Sequence, residues 1–192
     1  MKKLLVTIFI FYTSVCLAAP DLKLMISAKD ISEKLIKVAS QIDQDYHGEE
    51  LTIVMVMKGA ICATADLMRH IKTPAQLEYI NASSYGQNGT KSGKLTIIGI
   101  EDLNLKGKNV LLVDDIFDTG KTMTNIIKQL KEKQPKTIKS FVVFVKKVDR
   151  ETSYNPDYSL FEIENRFIVG YGLDYKEHYR GLPGIYEMQN VK

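Results

Sequence analysis

The chain has 192 residues and a formal net charge of +3 at neutral pH, which fits one compact domain with a sizeable core. Residues 1–19 hold two of the lysines and no acid, so the remainder carries 24 basic against 23 acidic side chains. That balance excludes the basic stripe of a nucleic-acid binder and the charge excess of a disordered chain.

Residues 1–19 read as a secretory signal: a basic start, an apolar run from Leu4, and small residues before Pro20. Lys3 and Asp21 bracket a run that is short for a membrane span. Two other readings stand beside this one, an uncleaved anchor and an upstream extension of a cytosolic protein that starts at Met25. Cys16 lies in this stretch and Cys62 is then alone, so no internal disulfide is expected and no oxidising compartment is implied. Cys62 sits among apolar helical positions and reads as a small buried hydrophobe.

Organised patterning begins at Met25. Ser27 and Asp30 form a helix start, and Ile31, Leu35, Val38, Ala39 and Ile42 follow at helical spacing. Residues 51–57 are a continuous apolar run of strand length, and residues 60–70 return to helical spacing. Residues 76–83 alternate like a strand, and residues 85–93 are polar with three glycines, a loop pattern. Strands are predicted at 95–100, 109–113, 140–145, 161–163 and 167–171, with a helix over 122–131 whose Met123, Ile126, Ile127 and Leu130 share one face. Buried strands alternating with amphipathic helices imply an α/β fold, a mostly parallel twisted sheet with helices on both faces. Ligands then sit outside the carboxyl ends of the strands.

One such end is more informative than the others. Val110-Leu111-Leu112-Val113 runs into Asp114, Asp115 and Asp118, then into Thr119-Gly120-Lys121-Thr122. Acids at a strand end suit a hydroxyl-rich sugar and Mg²⁺. A Thr/Gly-rich helix start suits a phosphate, because unpaired N–H groups and the helix dipole both face it. A nucleotide-triphosphate P-loop is excluded, since Asp115 stands where that motif needs its first glycine.

This segment resembles the signature of phosphoribosyltransferases that use 5-phosphoribosyl-1-pyrophosphate (PRPP). Residues 25–188 resemble the hypoxanthine-guanine phosphoribosyltransferases. The matching segments are Val56-Met57-Lys58-Gly59-Ala60, Ser84-Tyr85 with the loop after it, Val145-Lys146-Lys147, residues 166–175, and residues 177–183. Ala60 stands where the family usually has Gly or Ser. The resemblance implies a type I phosphoribosyltransferase-like sheet with a small hood built from the terminal segments.

The resemblance also implies roles. Asp118 is the general base toward purine N7, with helix capping as its bland alternative. Asp114 and Asp115 face the ribose hydroxyls and Mg²⁺, and residues 118–122, namely Asp118, Thr119, Gly120, Lys121 and Thr122, wrap the 5′-phosphate, the Lys121 side chain having no assigned task. Lys58 and Gly59 contact pyrophosphate through their backbone, where the bond before Lys58 can be cis, and Arg180 grips it as a fork-shaped donor. Lys146, or Lys147 in its stead, donates to the purine 6-oxo group. Phe167 stacks on the base, the Ile168 backbone reads its edge, and Asp174 holds a second Mg²⁺. Ser84 and Tyr85 open the lid. PRPP and a 6-oxopurine are the expected partners, in a homodimer or homotetramer.

Three functions are then distinguishable: a purine-salvage enzyme in the cytoplasm, a nucleotide-sensing regulator on the same fold, and an exported binding protein. Asp118 favours the enzyme, because a sensor needs no base there. PRPP is scarce outside cells, which favours the cytoplasm over export.

Overall fold

The structure, a computed structural model, describes residues 21–85 and 92–189. The leading signal-like stretch and most of the lid loop lie outside the described residues. Nine strands and three helices are described: β1 Leu22–Ile26, α1 Ala28–Asp45, β2 Leu51–Met57, α2 Ile61–His70, β3 Ala75–Tyr85, β4 Ser92–Ile98, β5 Asn109–Phe117, α3 Lys121–Glu132, β6 Thr137–Lys146, β7 Tyr158–Ile163, β8 Ile168–Val169 and β9 Ile185–Met188.

Six strands form the main sheet in the order β4-β3-β2-β5-β6-β7, and every pairing but β3–β4 is parallel. The central strands β2, β5 and β6 are apolar on both faces because both of their faces are covered. Along β2, Ile53 and Met55 join the core under α1 and α2, while Val54 and Val56 join the core under α3. The same alternation in β5 sends Leu111 and Val113 one way, Val110 and Leu112 the other. Helix α1 buries Ile31, Leu35, Val38, Ala39 and Ile42, and α3 buries Met123, Ile126, Ile127 and Leu130. Those two sets are the predicted apolar faces.

A second sheet, antiparallel in the order β1-β9-β8, joins the two ends of the described chain and is the expected hood. The capping box at Ser27 is present: its side chain accepts from the Asp30 N–H, and Asp30 accepts from the Ser27 N–H.

Several element boundaries differ from the expectation, and two of them bear on the site. Strand β5 continues past Val113 to Phe117, because Asp114, Ile116 and Phe117 keep their register with Val142, Phe144 and Val145 of β6. Asp114 and Asp115 therefore sit on the strand rather than after it. Strand β8 is only Ile168–Val169, since the chain turns at Gly170 with φ of +101°.

Chain order places the first crossover from β2 to one side and β5 on the other. The direction of winding thus reverses between β2 and β5, the point where such sheets open a crevice at their carboxyl ends.

Candidate active site

The crevice is there. A cleft of about 310 Å³ is lined by the β2 end (Val56 to Gly59), by residues 114–123, and by Ala82, Asp174 and Arg180. Its floor is acidic. Asp114 is only 8% exposed and accepts a 2.9 Å hydrogen bond from the Asp115 N–H. Burial first, and the adjacent Asp115 charge second, push the Asp114 carboxyl well above the usual carboxylate range. Burial raises Asp115 as well, against hydrogen bonds and the Arg180 cation that work the other way.

Gly59 is required by this floor. A Cβ at that position would lie 1.7 Å from Asp115 Oδ2, and a Cβ on Gly172 would lie 1.9 Å from the Gly59 carbonyl oxygen. Three segments far apart in sequence therefore meet with no room for a side chain. The Met57–Lys58 peptide is cis, as the resemblance implies.

The phosphate-sized loop follows. Gly120 is the N-cap residue of α3 at φ of +85°, and no side chain caps the helix. The first N–H groups of α3 thus face the cleft without a side-chain partner, in the position where the helix dipole favours an anion. Asp118 does not cap α3. It is exposed and takes an ion pair from Lys146 Nζ at 3.3 Å. Lys146 ends β6 with its side chain 17% exposed, whereas Lys147 turns away to Glu164 at 3.0 Å. Of the two lysines, Lys146 is the one beside the acidic turn. Lys121 reaches only Glu151, at 4.0 Å.

The tail closes the other side. Arg180 Nη2 pairs with Asp174 at 2.6 Å and with Glu177 at 3.3 Å, and its Nη1 donates to the Gly172 carbonyl at 2.7 Å. Arg180 Nε is buried without a partner among the described residues. Asp174 is held further by the Glu177 N–H at 2.8 Å, so both of its oxygens are engaged. Lys58 Nζ meets Glu177 at 3.0 Å. Phe167 and Ile168 do not line the cleft itself. Phe167 is 45% exposed with its ring edge-on to Tyr175, and Ile168 is buried in β8. Ser84 and Tyr85 end β3, and the rest of the lid lies outside the described residues.

Glu177 is the residue of this constellation that sequence reading left without a task. It bridges Lys58, 119 positions away, and nothing in local spacing signals that reach.

The acidic floor fits a hard divalent cation. Mg²⁺ keeps most of its waters and takes one or two carboxylates plus substrate oxygens. Asp114 and Asp115 supply that number, and a cation there relieves the buried pair of like charges. Among the described residues no group of three or more His, Cys, Asp or Glu side chains could by itself hold a metal ion.

Comparison with known proteins decides the family. Residues 26–176 match the phosphoribosyl transferase domain model. The chain is 39% identical over 170 residues to the hypoxanthine-guanine phosphoribosyltransferase of Aquifex aeolicus, covering 88% of this chain and 96% of that protein. The chain belongs to the hypoxanthine-guanine phosphoribosyltransferase family. The enzyme of that name from Streptococcus pneumoniae is 37% identical over 163 residues, covering 85% of this chain and 91% of that one. Among solved members of the family, the Bacillus anthracis enzyme superposes with a TM-score of 0.80 at 36% identity, covering 88% of this chain and 99% of that one. A mutant of the hypoxanthine phosphoribosyltransferase of Trypanosoma cruzi, solved as a ternary substrates complex, gives 0.79 at 29% identity, covering 89% and 96%. The α/β fold with its mostly parallel sheet is the fold of this family.

Proposed function

We propose that the chain is a purine-salvage enzyme that transfers the 5-phosphoribosyl group of PRPP to hypoxanthine or guanine, giving IMP or GMP and pyrophosphate. The observation that carries this reading is the shared cleft: an acidic pair of which Asp114 is buried and Asp115 half-buried, an uncapped helix start and a half-buried guanidinium line one space. Each suits a different part of PRPP, the ribose hydroxyls, the 5′-phosphate and the pyrophosphate respectively.

Asp118 takes the N7 proton as N9 attacks C1 of the ribose, and Lys146, beside it, donates to the 6-oxo group. Phe167 offers an exposed apolar ring as a shelf for a flat base. Arg180 and the Lys58–Gly59 backbone hold pyrophosphate as it departs. Mg²⁺, when bound at Asp114 and Asp115, neutralises the oxygens on which charge develops. Asp174, whose oxygens already take Arg180 and the Glu177 N–H, would hold a second Mg²⁺ through a remaining lone pair. Ser84, Tyr85 and the loop after them close over the site and exclude water that would otherwise capture the ribosyl cation.

The chain works in the cytoplasm, where PRPP is made, and residues 25–188 are the catalytic domain. Among the described residues no helix is long and apolar enough to cross a membrane. A homodimer or homotetramer is supported by an apolar face. Leu77 and Tyr79 lie on the sheet face of Ile53 and Met55 and are exposed there, and Ile61 and Met68 of α2 are exposed as well. Large apolar side chains left open on a sheet face suit an association surface.

The test is product identification. Incubation of the chain with PRPP, Mg²⁺ and each base in turn yields IMP from hypoxanthine and GMP from guanine, and no AMP from adenine. A nucleotide formed from adenine alone, or from no base, overturns the reading.

A further inference from the structure

Two residues that line the pyrophosphate side of the cleft, Lys58 and Arg180, are already paired with an anion of the protein's own. Glu177 Oε2 lies 3.0 Å from Lys58 Nζ and 3.3 Å from Arg180 Nη2, so one carboxylate oxygen joins two cations from opposite walls of the site. Arg180 is the guanidinium proposed to grip the departing diphosphate, and the Lys58 ammonium belongs to a residue lining the same cleft. Asp174 also pairs with Arg180, but it is fixed: its side chain is 14% exposed and its second oxygen accepts from the Glu177 N–H. The Glu177 side chain is 62% exposed and has solvent to move into. Its backbone is in the left-handed region at φ of +66°, next to Lys176 at +51°, and Tyr179 follows at +74°. A turn of non-glycine residues in that region persists only where surrounding contacts maintain it. Here those contacts are the Arg180 network and the Asp174–Glu177 hydrogen bond.

We propose that Glu177 is a built-in competitor for the pyrophosphate subsite, clamping Lys58 and Arg180 with its carboxylate and yielding them to the diphosphate oxygens of donor or product. This deepens the phosphoribosyl-transfer reading and rests on it. A competing internal anion keeps the two cations placed in the empty site, weakens the grip on the diphosphate, and speeds its release. Release of product limits many enzymes of this kind of cycle, so the carboxylate raises turnover while it lowers affinity.

The test compares the full chain with its Glu177→Gln variant, which keeps the shape and removes the charge. Binding of inorganic pyrophosphate with Mg²⁺ is read by calorimetry, and kcat and KM for PRPP are read separately. The variant is expected to bind pyrophosphate roughly 3–10-fold tighter, the range that losing two exposed ion pairs allows. KM for PRPP falls in the same direction, and kcat falls with it. In a Lys58→Gln background the effect of Glu177→Gln shrinks, because only the Arg180 contact is left to release. If Glu177 merely braces the turn, the variant binds pyrophosphate more weakly and KM rises, and that result overturns the proposal. Unchanged pyrophosphate binding in a variant whose parent forms nucleotide overturns it equally. A parent chain that forms no nucleotide removes the transfer reading itself, and this proposal with it.

Discussion

Gly59 shows how single residues set this site. Any side chain there meets the Asp115 carboxylate, so Gly59→Ala is expected to displace the acidic floor by about the 1 Å that costs ~10²-fold in turnover. Steady-state kinetics with thermal unfolding as control checks this, since loss of turnover in a folded variant is the expected pattern. Asp118→Asn is expected to slow turnover by ~10²–10⁴-fold while PRPP still binds, because only the proton acceptor is lost. Near-normal rates remove Asp118 from the chemistry.

Asp114 tests the electrostatics. Its carboxyl is raised by burial and by Asp115, so in the window above the unfolded carboxyl value of about 3.9 the folded state holds more protons than the unfolded one. Stability of the metal-free protein therefore falls as pH rises through that window. Asp114→Asn keeps the acceptor for the Asp115 N–H and removes the charge. It is expected to raise Tm by about 2–4 °C for each kcal/mol relieved, at neutral pH without Mg²⁺, and to weaken PRPP binding. A lower Tm in the variant refutes the account of strained like charges. At this scale the sequence was informative about chemistry and silent about reach. Asp114, Asp115, Asp174 and Arg180 all line the cleft. The Glu177 bridge and the choice of Lys146 over Lys147 depend on where side chains point, which no spacing encodes.

At the scale of elements, local chemistry determined what could be read. The start and the buried face of the first helix were legible because a capping box and five apolar residues at helical spacing agree, while its end at Asp45 carried no such signal. Ser27→Ala is expected to cost about 1 kcal/mol and to lower Tm by about 2–4 °C, measurable by calorimetry. The end of β5 was not legible, since Asp residues are poor strand formers and their place in the ladder is imposed by β6. Strands β1 and β9 are short, and their pairing joins Leu22 to Met188 across nearly the whole described chain. Periodicity over four or five residues cannot reveal such a partner. The hood was expected only through family resemblance.

For the whole molecule, the order of strands matters most. Because winding reverses between β2 and β5, the Lys58–Gly59 turn and the Asp114–Thr122 segment open onto the same crevice, and the tail from Leu173 to Arg180 closes it. Alternation of buried strands and amphipathic helices predicted the class of fold, but not this order, which rests on crossovers that burial patterns leave undetermined. The exposed sheet face bearing Leu77 and Tyr79 predicts self-association. Sedimentation is expected to show a dimer or tetramer, and Tyr79→Glu to shift it toward monomer; a monomeric parent chain contradicts this.

The central claim is that the crevice between β2 and β5 holds the phosphoribosyl donor on the acidic pair through its metal. Calorimetric titration of PRPP, with and without Mg²⁺, into the chain and into an Asp114→Asn/Asp115→Asn variant tests it most directly. The account predicts one PRPP per chain, bound far more tightly with Mg²⁺, and a folded double variant in which the metal no longer matters. Binding that is indifferent to Mg²⁺ in the parent chain, or unaltered in the double variant, contradicts it.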